Sequence, residues 1–224
     1  MKIAELFYSI QGEGSLVGVP SVFIRTSGCN LRCAWCDTPY TSWQPEGTDL
    51  ELDQILDEVA AHGARRVVVT GGEPMIAQDI LALTGRLRAL GKHITIETAG
   101  TVFAPVACDL MSISPKLANS TPDDPRWGRQ HDRLRIQPVV LGELMARYEY
   151  QLKFVIQRAD DLDEVRSLVE LLSADRERVI LMPEGVDSDR LRERGAWLAE
   201  MCKEEGFRFS PRLHVDLWGN RRGV

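Results

Sequence analysis

Short apolar runs recur along the chain, and longer segments with helical spacing separate several of them. The runs cover residues 21–26, 65–72, 93–100, 109–116, 151–157 and 178–185, with a further candidate at 207–215. Each run is β-branched or otherwise apolar and is bounded by Gly, Pro or polar residues, which is typical of buried strands. The pattern therefore predicts six buried strands and one additional candidate strand.

Four of the intervening segments place their apolar residues on one helical face. They cover residues 50–62, 76–90, 160–172 and 188–206. Gly91 and Gly206 stand at the ends of two of these segments as predicted C-terminal caps. Strand–helix alternation predicts a parallel sheet with helices packed outside it. The predicted fold class is α/β, an incomplete (β/α) TIM-like barrel or strongly curved sheet, built as one domain over 1–224.

Two segments interrupt the alternation. Between Thr98 and Asp109 the chain is barely long enough for a crossover helix, so we expect a short helix or a loop there. Residues 117–140 are rich in Pro, Asp and Arg without a clear period, which predicts a long loop, and the sequence does not define the conformation of 117–150. Loops of this length in compact domains are usually functional or mobile.

Composition excludes several classes of protein. The chain of 224 residues, 44% hydrophobic and 27% charged, is long enough to bury a full core. A net charge of -6 lacks the basic footprint of nucleic-acid binders. No apolar run approaches the roughly 20 residues that span a bilayer, and the N-terminus has no signal-peptide core. We expect a cytoplasmic protein with reduced thiols, since five cysteines also argue against a disulfide framework.

Three cysteines lie close together in SGCNLRCAWCDTPYTSW, residues 27–43. Cys29, Cys33 and Cys36 have the spacing C-x3-C-x2-C, and no fourth Cys or His is near them in sequence. A disulfide needs two cysteines, and a structural zinc site needs four ligands. Three thiolates suit a [4Fe–4S] cluster that keeps one iron open to bind another molecule. Zinc with a borrowed fourth ligand is the alternative.

Gly, Pro and polar residues follow five of the predicted strands. These motifs are the cysteine loop, TGGEP (70–74), ETAG (97–100), SPK (114–116) and PEG (183–185). Each motif alone could be an ordinary turn or a solvated charge. In parallel α/β folds, however, chemistry gathers at the carboxyl ends of the strands. Together the motifs predict one site at one edge of the sheet.

Two of these motifs resemble those of a known family. The C-x3-C-x2-C loop and the GGEP turn that follows the next strand are similar to the two recurring motifs of radical S-adenosylmethionine (SAM) enzymes. The resemblance implies that the open iron binds the amino and carboxylate groups of SAM. It also implies that cluster reduction cleaves SAM to a 5′-deoxyadenosyl radical, which abstracts hydrogen from a substrate.

The N-terminal sequence narrows the resemblance. FYSIQGEGSLVGVPSVFIRTSGCNLRCAWCDT is similar to the 7-carboxy-7-deazaguanine synthase family, and the similarity extends through TGGEP, IETAGT, SPK and LHVDLWGN. The resemblance implies a carbon–nitrogen lyase of 7-deazapurine (queuosine) biosynthesis, a tRNA modification pathway. Its substrate would be 6-carboxy-5,6,7,8-tetrahydropterin, whose ring contracts with loss of ammonia while SAM is re-formed.

The resemblance also implies roles for individual residues. Substrate contacts are expected from Ile10, Gln11, Gly12, Glu13, Arg25, Thr70 and Glu97. Contacts with SAM are expected from Trp35, Cys36, Asp37, Gly72, Glu73, Ser114, Pro115, Lys116, Met182, Pro183, Glu184 and Gly185. Thr38 is the expected protein ligand of a Mg2+ ion beside the substrate carboxylate. Arg25 should pair with that carboxylate, because an Arg inside an apolar strand is costly without a partner.

Partners and alternatives complete the prediction. The resemblance implies a homodimer and a flavodoxin- or ferredoxin-type electron donor, with neither nucleic acid nor membrane as a partner. A glycyl-radical activating enzyme, another radical SAM enzyme acting on a small heterocycle, and a non-catalytic zinc-binding module are the alternatives. The QGEG motif and Arg25 favour a small carboxylated heterocycle as substrate. The role of the C-terminal tail, with His214, Asn220 and Arg222, stays open.

Overall fold

A computed structural model describes residues 1–224. Nine strands form one sheet: β1 (Lys2–Ile10), β2 (Pro20–Thr26), β3 (Thr48–Asp49), β4 (Arg66–Gly71), β5 (His93–Thr98), β6 (Leu110–Ile113), β7 (Tyr150–Ile156), β8 (Val179–Pro183) and β9 (Arg208–Phe209). Eight α-helices accompany them: α1 (Pro39–Ser42), α2 (Leu52–Ala61), α3 (Ile80–Ala89), α4 (Pro125–Leu134), α5 (Pro138–Arg147), α6 (Asp161–Leu171), α7 (Ser188–Glu205) and α8 (Leu213–Trp218). No helix combines the length and apolar character that crossing a bilayer requires.

The sheet is mostly parallel and remains open. Its strand order is β3-β1-β2-β4-β5-β6-β7-β8-β9, and neighbouring strands from β2 to β9 pair in parallel. Strand β1 pairs antiparallel with β2, and β3 with β1. Because the two edge strands do not meet, the predicted incomplete barrel is confirmed.

Side-chain alternation divides the sheet into a core face and a cavity face. In β4, Val67 and Val69 pack into a core of 34 buried residues that also includes residues of α2 and α3. Thr70 belongs to the opposite face and lines a cavity, as do Arg25 of β2 and Lys153 of β7. The apolar runs thus supply the core with every second residue and leave the others for the site.

The four predicted helices are confirmed as α2, α3, α6 and α7, with small differences at their ends. Gly91 and Gly206 adopt the positive φ that ends a helix (68° at each). The link after β5 contains no helix, so the prediction of a short helix or loop is confirmed as a loop.

The predicted long loop at 117–140 is wrong, because this segment contains α4 and the start of α5. Asp124 caps α4 by accepting hydrogen bonds from the backbone N–H groups of Arg126 and Trp127 at 2.8 and 3.0 Å. The buried residues of α4 are Gly128 and His131, so its inner face gives no apolar period. Because the inward residues of α4 are polar or small, the apolar pattern of the sequence did not indicate this helix.

Two further differences lie near the ends of the chain. The sequence analysis did not predict β1, whose side chains are mostly half-buried, so that its apolar pattern is weak. The candidate strand at 207–215 is wrong beyond Phe209, because the sheet pairing ends there and α8 begins at Leu213. Pro211 lies between these elements and has no N–H to continue a strand ladder.

Candidate active site

A cavity of about 450 Å3 opens at the carboxyl edge of the parallel strands. Most of the predicted site residues line it. They are Ile10, Gln11, Gly12, Glu13, Arg25, Cys29, Cys33, Trp35, Cys36, Asp37, Thr38, Thr70, Gly72, Glu97, Ser114, Lys116, Met182 and Glu184. The structure therefore brings residues from both halves of the chain to one cavity.

Four predicted residues do not line the cavity, namely Glu73, Pro115, Pro183 and Gly185. The fully buried Glu73 carboxylate accepts hydrogen bonds from Thr98 Oγ1 at 2.7 Å and from the Ala99 N–H at 2.9 Å. The side chain thereby ties the GGEP turn to the end of β5, and its contact with SAM stays a prediction. Burial raises the pKa of Glu73 against the opposing effect of these hydrogen bonds.

The three cysteines of the loop share the cavity wall. The Cys29 sulfur accepts a hydrogen bond from the Leu31 N–H at 3.4 Å, and the Cys36 sulfur lies 3.3 Å from Ser42 Oγ. Burial raises the pKa of Cys29 to about 11 and that of Cys33 to about 12. These thiols therefore stay protonated near neutral pH unless a cation replaces the protons, as a bound metal does.

The ligand geometry does not suit a single metal ion. No three side chains of His, Cys, Asp or Glu converge closely enough to hold one. Zinc–sulfur bonds of about 2.3 Å would require such convergence. Three cysteine sulfurs on one cavity wall, with no fourth protein ligand beside them, fit an iron–sulfur cluster that keeps one iron open.

Residues 117–134 support the cysteine loop from outside. Arg32 donates its N–H to His131 Nδ1 at 3.1 Å, and the Ala34 N–H donates to the Ser120 carbonyl at 2.8 Å. His131 Nε2 lies 2.9 Å from Ser120 Oγ. Because Nδ1 accepts a hydrogen bond, Nε2 carries the proton of the neutral ring. Burial and the nearby Arg135 lower the pKa of His131 to about 4, which favours this neutral form.

Charged side chains from the QGEG segment, the cysteine loop, β7 and the segment after β9 meet in another part of the cavity. Lys153 and Arg212 each form an ion pair with Glu13, the latter at 3.0 Å from Nε to Oε1, and Arg212 also pairs with Asp37. Desolvation opposes ionisation of both carboxylates, although the Asp37 side chain remains 40% exposed to solvent. The adjacent cations outweigh it and hold both pKa values below their usual range. The carboxylates are therefore fixed anions.

Neither Lys153 nor Arg212 was predicted from the sequence as a site residue. Lys153 sits inside the apolar run QLKFVIQ, so it carried the same signal that identified Arg25. Its side chain is only 6% exposed. Arg212 follows β9 and had no comparable signal, because its position beside Glu13 depends on how the last segment crosses the sheet edge.

Gln11 orients a second carboxylate in this part of the cavity. Its Nε2 donates to Glu97 Oε1 at 3.0 Å, and its Oε1 accepts from the Glu13 N–H at 3.1 Å. Gly12 lies under the His214 ring, where an added Cβ would be 1.9 Å from Nδ1. The glycine of the QGEG motif thus permits His214 to reach the cavity wall.

The Arg25 guanidinium is held by the protein through Nε, and its two terminal nitrogens remain available to bind a ligand. Its Nε pairs with Glu5 Oε2 at 2.7 Å, directly across the β1–β2 ladder. The Tyr40 hydroxyl donates to the same oxygen at 2.6 Å. The hydrogen bonds of Arg25 to protein involve Nε alone, so its terminal nitrogens can bind a ligand in the cavity.

The remaining predicted residues form the wall near SPK and PEG. Lys116 Nζ donates to the carbonyl and hydroxyl of Ser114 at 2.8 and 2.7 Å, and it lies 6.0 Å from the centre of the Trp35 ring. The Glu184 carboxylate pairs with Arg194. These contacts fix polar groups beside the cysteine loop.

The C-terminal tail also reaches the cavity, which His214, Asn220 and Arg222 help to line. The Arg222 guanidinium lies 3.5 Å from the centre of the Tyr40 ring and pairs with Glu46 at 3.0 Å. Burial and the adjacent Arg212 lower the pKa of His214 against the pull of Glu13. The tail therefore covers one side of the mouth.

Comparisons with known proteins agree with this geometry. The model of the Radical SAM superfamily matches residues 23–119. A 7-carboxy-7-deazaguanine synthase from Rhodopirellula baltica is 47% identical, over 99% of this chain and 88% of the relative. Another from Halobacterium salinarum is 47% identical, over 98% of this chain and 91% of the relative.

A solved structure is similar over nearly the whole chain. The crystal structure of QueE from Escherichia coli superposes with a TM-score of 0.69 at 30% identity, covering 95% of this chain and 94% of that one. The identity and coverage of these relatives establish the family. The chain belongs to the 7-carboxy-7-deazaguanine synthase family of radical SAM enzymes.

Proposed function

We propose that the protein converts 6-carboxy-5,6,7,8-tetrahydropterin to 7-carboxy-7-deazaguanine with loss of ammonia. The observation that supports this most is the content of one cavity. It combines the three-cysteine loop with an arginine that keeps two free nitrogens and with the fixed carboxylates of Glu13 and Glu97. A carboxylated heterocycle would meet complementary groups at both ends.

The carboxylate side is recognised by Arg25. Two terminal guanidinium nitrogens can bind a carboxylate through parallel hydrogen bonds, a geometry that Arg favours. Glu5 fixes the plane of the guanidinium through Nε, and Tyr40 fixes Glu5. The terminal nitrogens are thereby oriented before substrate arrives, which reduces the entropy lost on binding.

The ring side is recognised by Glu13, Gln11 and Glu97. A pterin presents an amino group and ring N–H groups on one edge, which need acceptors. Ionised carboxylates are acceptors only. Lys153 and Arg212 keep Glu13 ionised, and Gln11 orients Glu97. An analogue without these N–H groups would leave buried acceptors unpaired, so discrimination against it should be strong.

Cys29, Cys33 and Cys36 would hold the [4Fe–4S] cluster, and the wall formed by Gly72 and Lys116 would receive SAM. When bound, these groups supply the radical that abstracts hydrogen from the substrate. The protein positions the substrate by Arg25 and the ring-binding residues and limits solvent access to the cavity. The overall change removes one ammonia and needs no net oxidant, so SAM acts catalytically.

We also propose a Mg2+ ion next to Thr38, whose side chain lines the cavity 3.9 Å from the Cys36 sulfur. Mg2+ keeps several waters and takes oxygens from the substrate, so one protein hydroxyl is an adequate anchor. Removing Mg2+ with a chelator should lower turnover, and Thr38→Val should abolish the response to added Mg2+.

We further propose that the protein is a homodimer. Light scattering of the purified protein tests this proposal.

The test of function is an anaerobic assay of reconstituted protein with dithionite, SAM, Mg2+ and 6-carboxy-5,6,7,8-tetrahydropterin, with mass detection of 7-carboxy-7-deazaguanine. Arg25→Ala should lose at least about 100-fold in kcat/KM, because a charge-assisted pair is removed. It should keep its iron and its SAM cleavage without substrate. Arg65→Ala is the control, because Arg65 is exposed at the amino end of β4, away from the cavity, and its kcat/KM should equal that of the wild type. SAM cleavage without product in the wild type would contradict the substrate assignment.

A further inference from the structure

Helix α4 carries a row of arginines beside the cysteine loop. Arg126, Arg129 and Arg133 have the spacing i, i+3, i+7, which places them on one face of the helix. All three residues are exposed. The ion pairs near this helix join Arg135 to Asp132 and Glu164 instead. The row therefore presents positive charge without a partner from this chain.

This pattern differs from the rest of the surface. Exposed arginines elsewhere commonly pair with carboxylates, as in Arg86–Asp53 and Arg192–Asp189. The whole chain carries a net charge of -6. Of the acidic residues before the helix, Asp124 is engaged as its cap and Asp123 is exposed. A basic row on an acidic protein indicates a binding surface for a partner of negative charge.

The opposite face of α4 is joined to the cysteine loop. His131 accepts the hydrogen bond from the Arg32 N–H, and the Arg32 guanidinium lies 4.7 Å from the centre of the Trp127 ring. Arg32 directly precedes Cys33, and Ala34 after it is exposed at the loop surface. Arg126, at one end of the row, lies 4.8 Å from the centre of the same Trp127 ring, so a protein bound to the row would also adjoin the outer surface of the loop beside Arg32.

We propose that the outer face of α4 is the docking surface for an acidic one-electron carrier protein that reduces the cluster. This proposal rests on the proposed function. One electron leaves the carrier, which is oxidised, and enters the cluster, which is reduced, and no covalent bond is made. Opposite charges accelerate encounter and orient the partner, which suits a complex that must form and separate in each cycle.

A single-stranded nucleic acid is the other partner that a basic row attracts. Such binding usually adds stacking of bases on aromatic rings. Trp127, the aromatic ring between the arginine row and the cysteine loop, already contacts two guanidinium groups, Arg32 at 4.7 Å and Arg126 at 4.8 Å. The geometry thus favours a protein partner whose carboxylates meet the arginines.

The test compares reduction of the cluster by two reductants in the absence of substrate. Reconstituted protein is mixed with reduced flavodoxin, an acidic carrier, or with dithionite, and cluster absorbance is followed by stopped flow. In Arg126→Glu/Arg129→Glu/Arg133→Glu the second-order rate with flavodoxin should fall at least about tenfold at low ionic strength. The difference should shrink at high salt. Reduction by dithionite should change less than about twofold, as expected for a contact-specific effect.

Controls separate docking from folding and from the proposed reaction. Arg65→Glu, an exposed unpaired arginine before β4 at the opposite edge of the sheet, should behave as wild type. The neutral triple variant to Gln should retain iron content and show an intermediate rate. Titration of oxidised flavodoxin should give a weaker, less salt-dependent Kd for the Glu variant. Because no substrate is present, absence of product in the enzyme assay does not affect this result.

Three outcomes would overturn the proposal. The first is an unchanged flavodoxin rate in the Glu variant. The second is an equal loss with both reductants, which would assign the arginines to cluster stability. The third is tight binding of a single-stranded RNA oligonucleotide that the Glu substitutions abolish while flavodoxin reduction persists, which would assign the row to nucleic acid.

Discussion

Glu13 is an anion enclosed by two cations. Arg212 binds its Oε1 and Lys153 binds its Oε2, and both cations are buried. Removing one member of a buried pair leaves an uncompensated charge, which costs about 3–5 kcal/mol. Arg212 would still face Glu13 after loss of Lys153 and would offset part of that cost. The cluster is thus stable as a unit and sensitive to single substitutions.

We expect Lys153→Met to lower the free energy of unfolding by about 2–4 kcal/mol at pH 7, since a buried pair is broken. Lys153 and Arg212 hold the folded-state pKa of Glu13 below its ordinary value of 4.5. Its ionised form therefore stabilises the fold above about pH 4.5, and this contribution is lost as the pH falls towards the folded-state value. The gap between variant and wild type should narrow as the pH is lowered below 4.5.

Urea unfolding at pH 7, 4 and 3 measures this gap. Lys203→Met is the matched control, because Lys203 pairs with Glu200 on the surface and both side chains are largely exposed (71% and 64%). Its stability should be unchanged at every pH. A gap for Lys153→Met that stayed constant down to pH 4 and below would show that lost packing, rather than the Glu13 charge, is responsible.

At the residue scale, the sequence predicted the chemistry of single positions better than their partners. Arg25 was identified because a charge inside an apolar strand needs a reason, and Lys153 met the same condition without being recognised. No partner within the protein was predicted for the Glu73 carboxylate, and it binds Thr98 and Ala99, about 25 residues away in sequence. Which group satisfies a buried carboxylate depends on tertiary contacts, so a motif does not reveal it.

At the element scale, the central strands could be predicted from continuous apolar runs, without an alternation of apolar and polar residues. Strand β4 is buried on both faces, so it appears in the sequence as a continuous apolar run. Helix α4 escaped detection because it buries Gly128 and His131 and faces solvent with arginines. The helix that supports the cysteine loop is therefore among those that periodicity could not find.

The turn after β4 touches the cysteine loop through Gly72. A Cβ at this position would lie 2.1 Å from the backbone oxygen of Gly28, and backbone cannot move aside without separating turn and loop. We expect Gly72→Ala to retain less than about half of the wild-type iron after reconstitution, because misplaced ligands weaken metal sites. Iron analysis per chain measures this.

Gly85→Ala provides the matched control for that substitution. Gly85 lies inside α3, and an added Cβ would meet no atom within 4 Å. Alanine there should raise stability by about 0.5–1 kcal/mol, because glycine is unfavourable in helix interiors. Normal iron content in Gly72→Ala would mean that the turn and the loop can separate without cost to the site.

His131 connects α4 to the loop, and its loss should loosen the iron. His131→Ala leaves the Arg32 N–H without its acceptor, at a cost of about 1–3 kcal/mol, so release of iron to a chelator should be several-fold faster. His131→Asn offers a carbonyl oxygen in place of Nδ1 and should restore much of the wild-type rate. Equal release from both variants would indicate that side-chain volume, and not this hydrogen bond, supports the loop.

At the scale of the whole molecule, the buried apolar side chains form two separate groups, one in the main core and one at the site. The main core contains 34 buried residues of the sheet and its helices. A second cluster of three, Leu31, Cys33 and Ala99, lies in the cysteine loop and after β5, with Leu134 of α4 packed against it. Three buried residues cannot stabilise the cysteine loop alone. The bound iron–sulfur cluster should therefore supply much of the stability of this loop.

Removing the iron should therefore loosen part of the molecule and leave the rest intact. We expect hydrogen exchange in the protein without iron to be faster than in the reconstituted protein over 27–43 and over 125–134, because Leu31 and Cys33 form the small apolar cluster and Leu134 and His131 of α4 contact it or the loop. Strands β4–β8 should exchange alike in the two forms, since the main core does not include the loop. Mass spectrometry of peptides from both forms under anaerobic conditions measures this difference. Faster exchange throughout the sheet of the iron-free protein would show that the iron–sulfur cluster stabilises the entire fold. The site and the main core would then not be independent in stability.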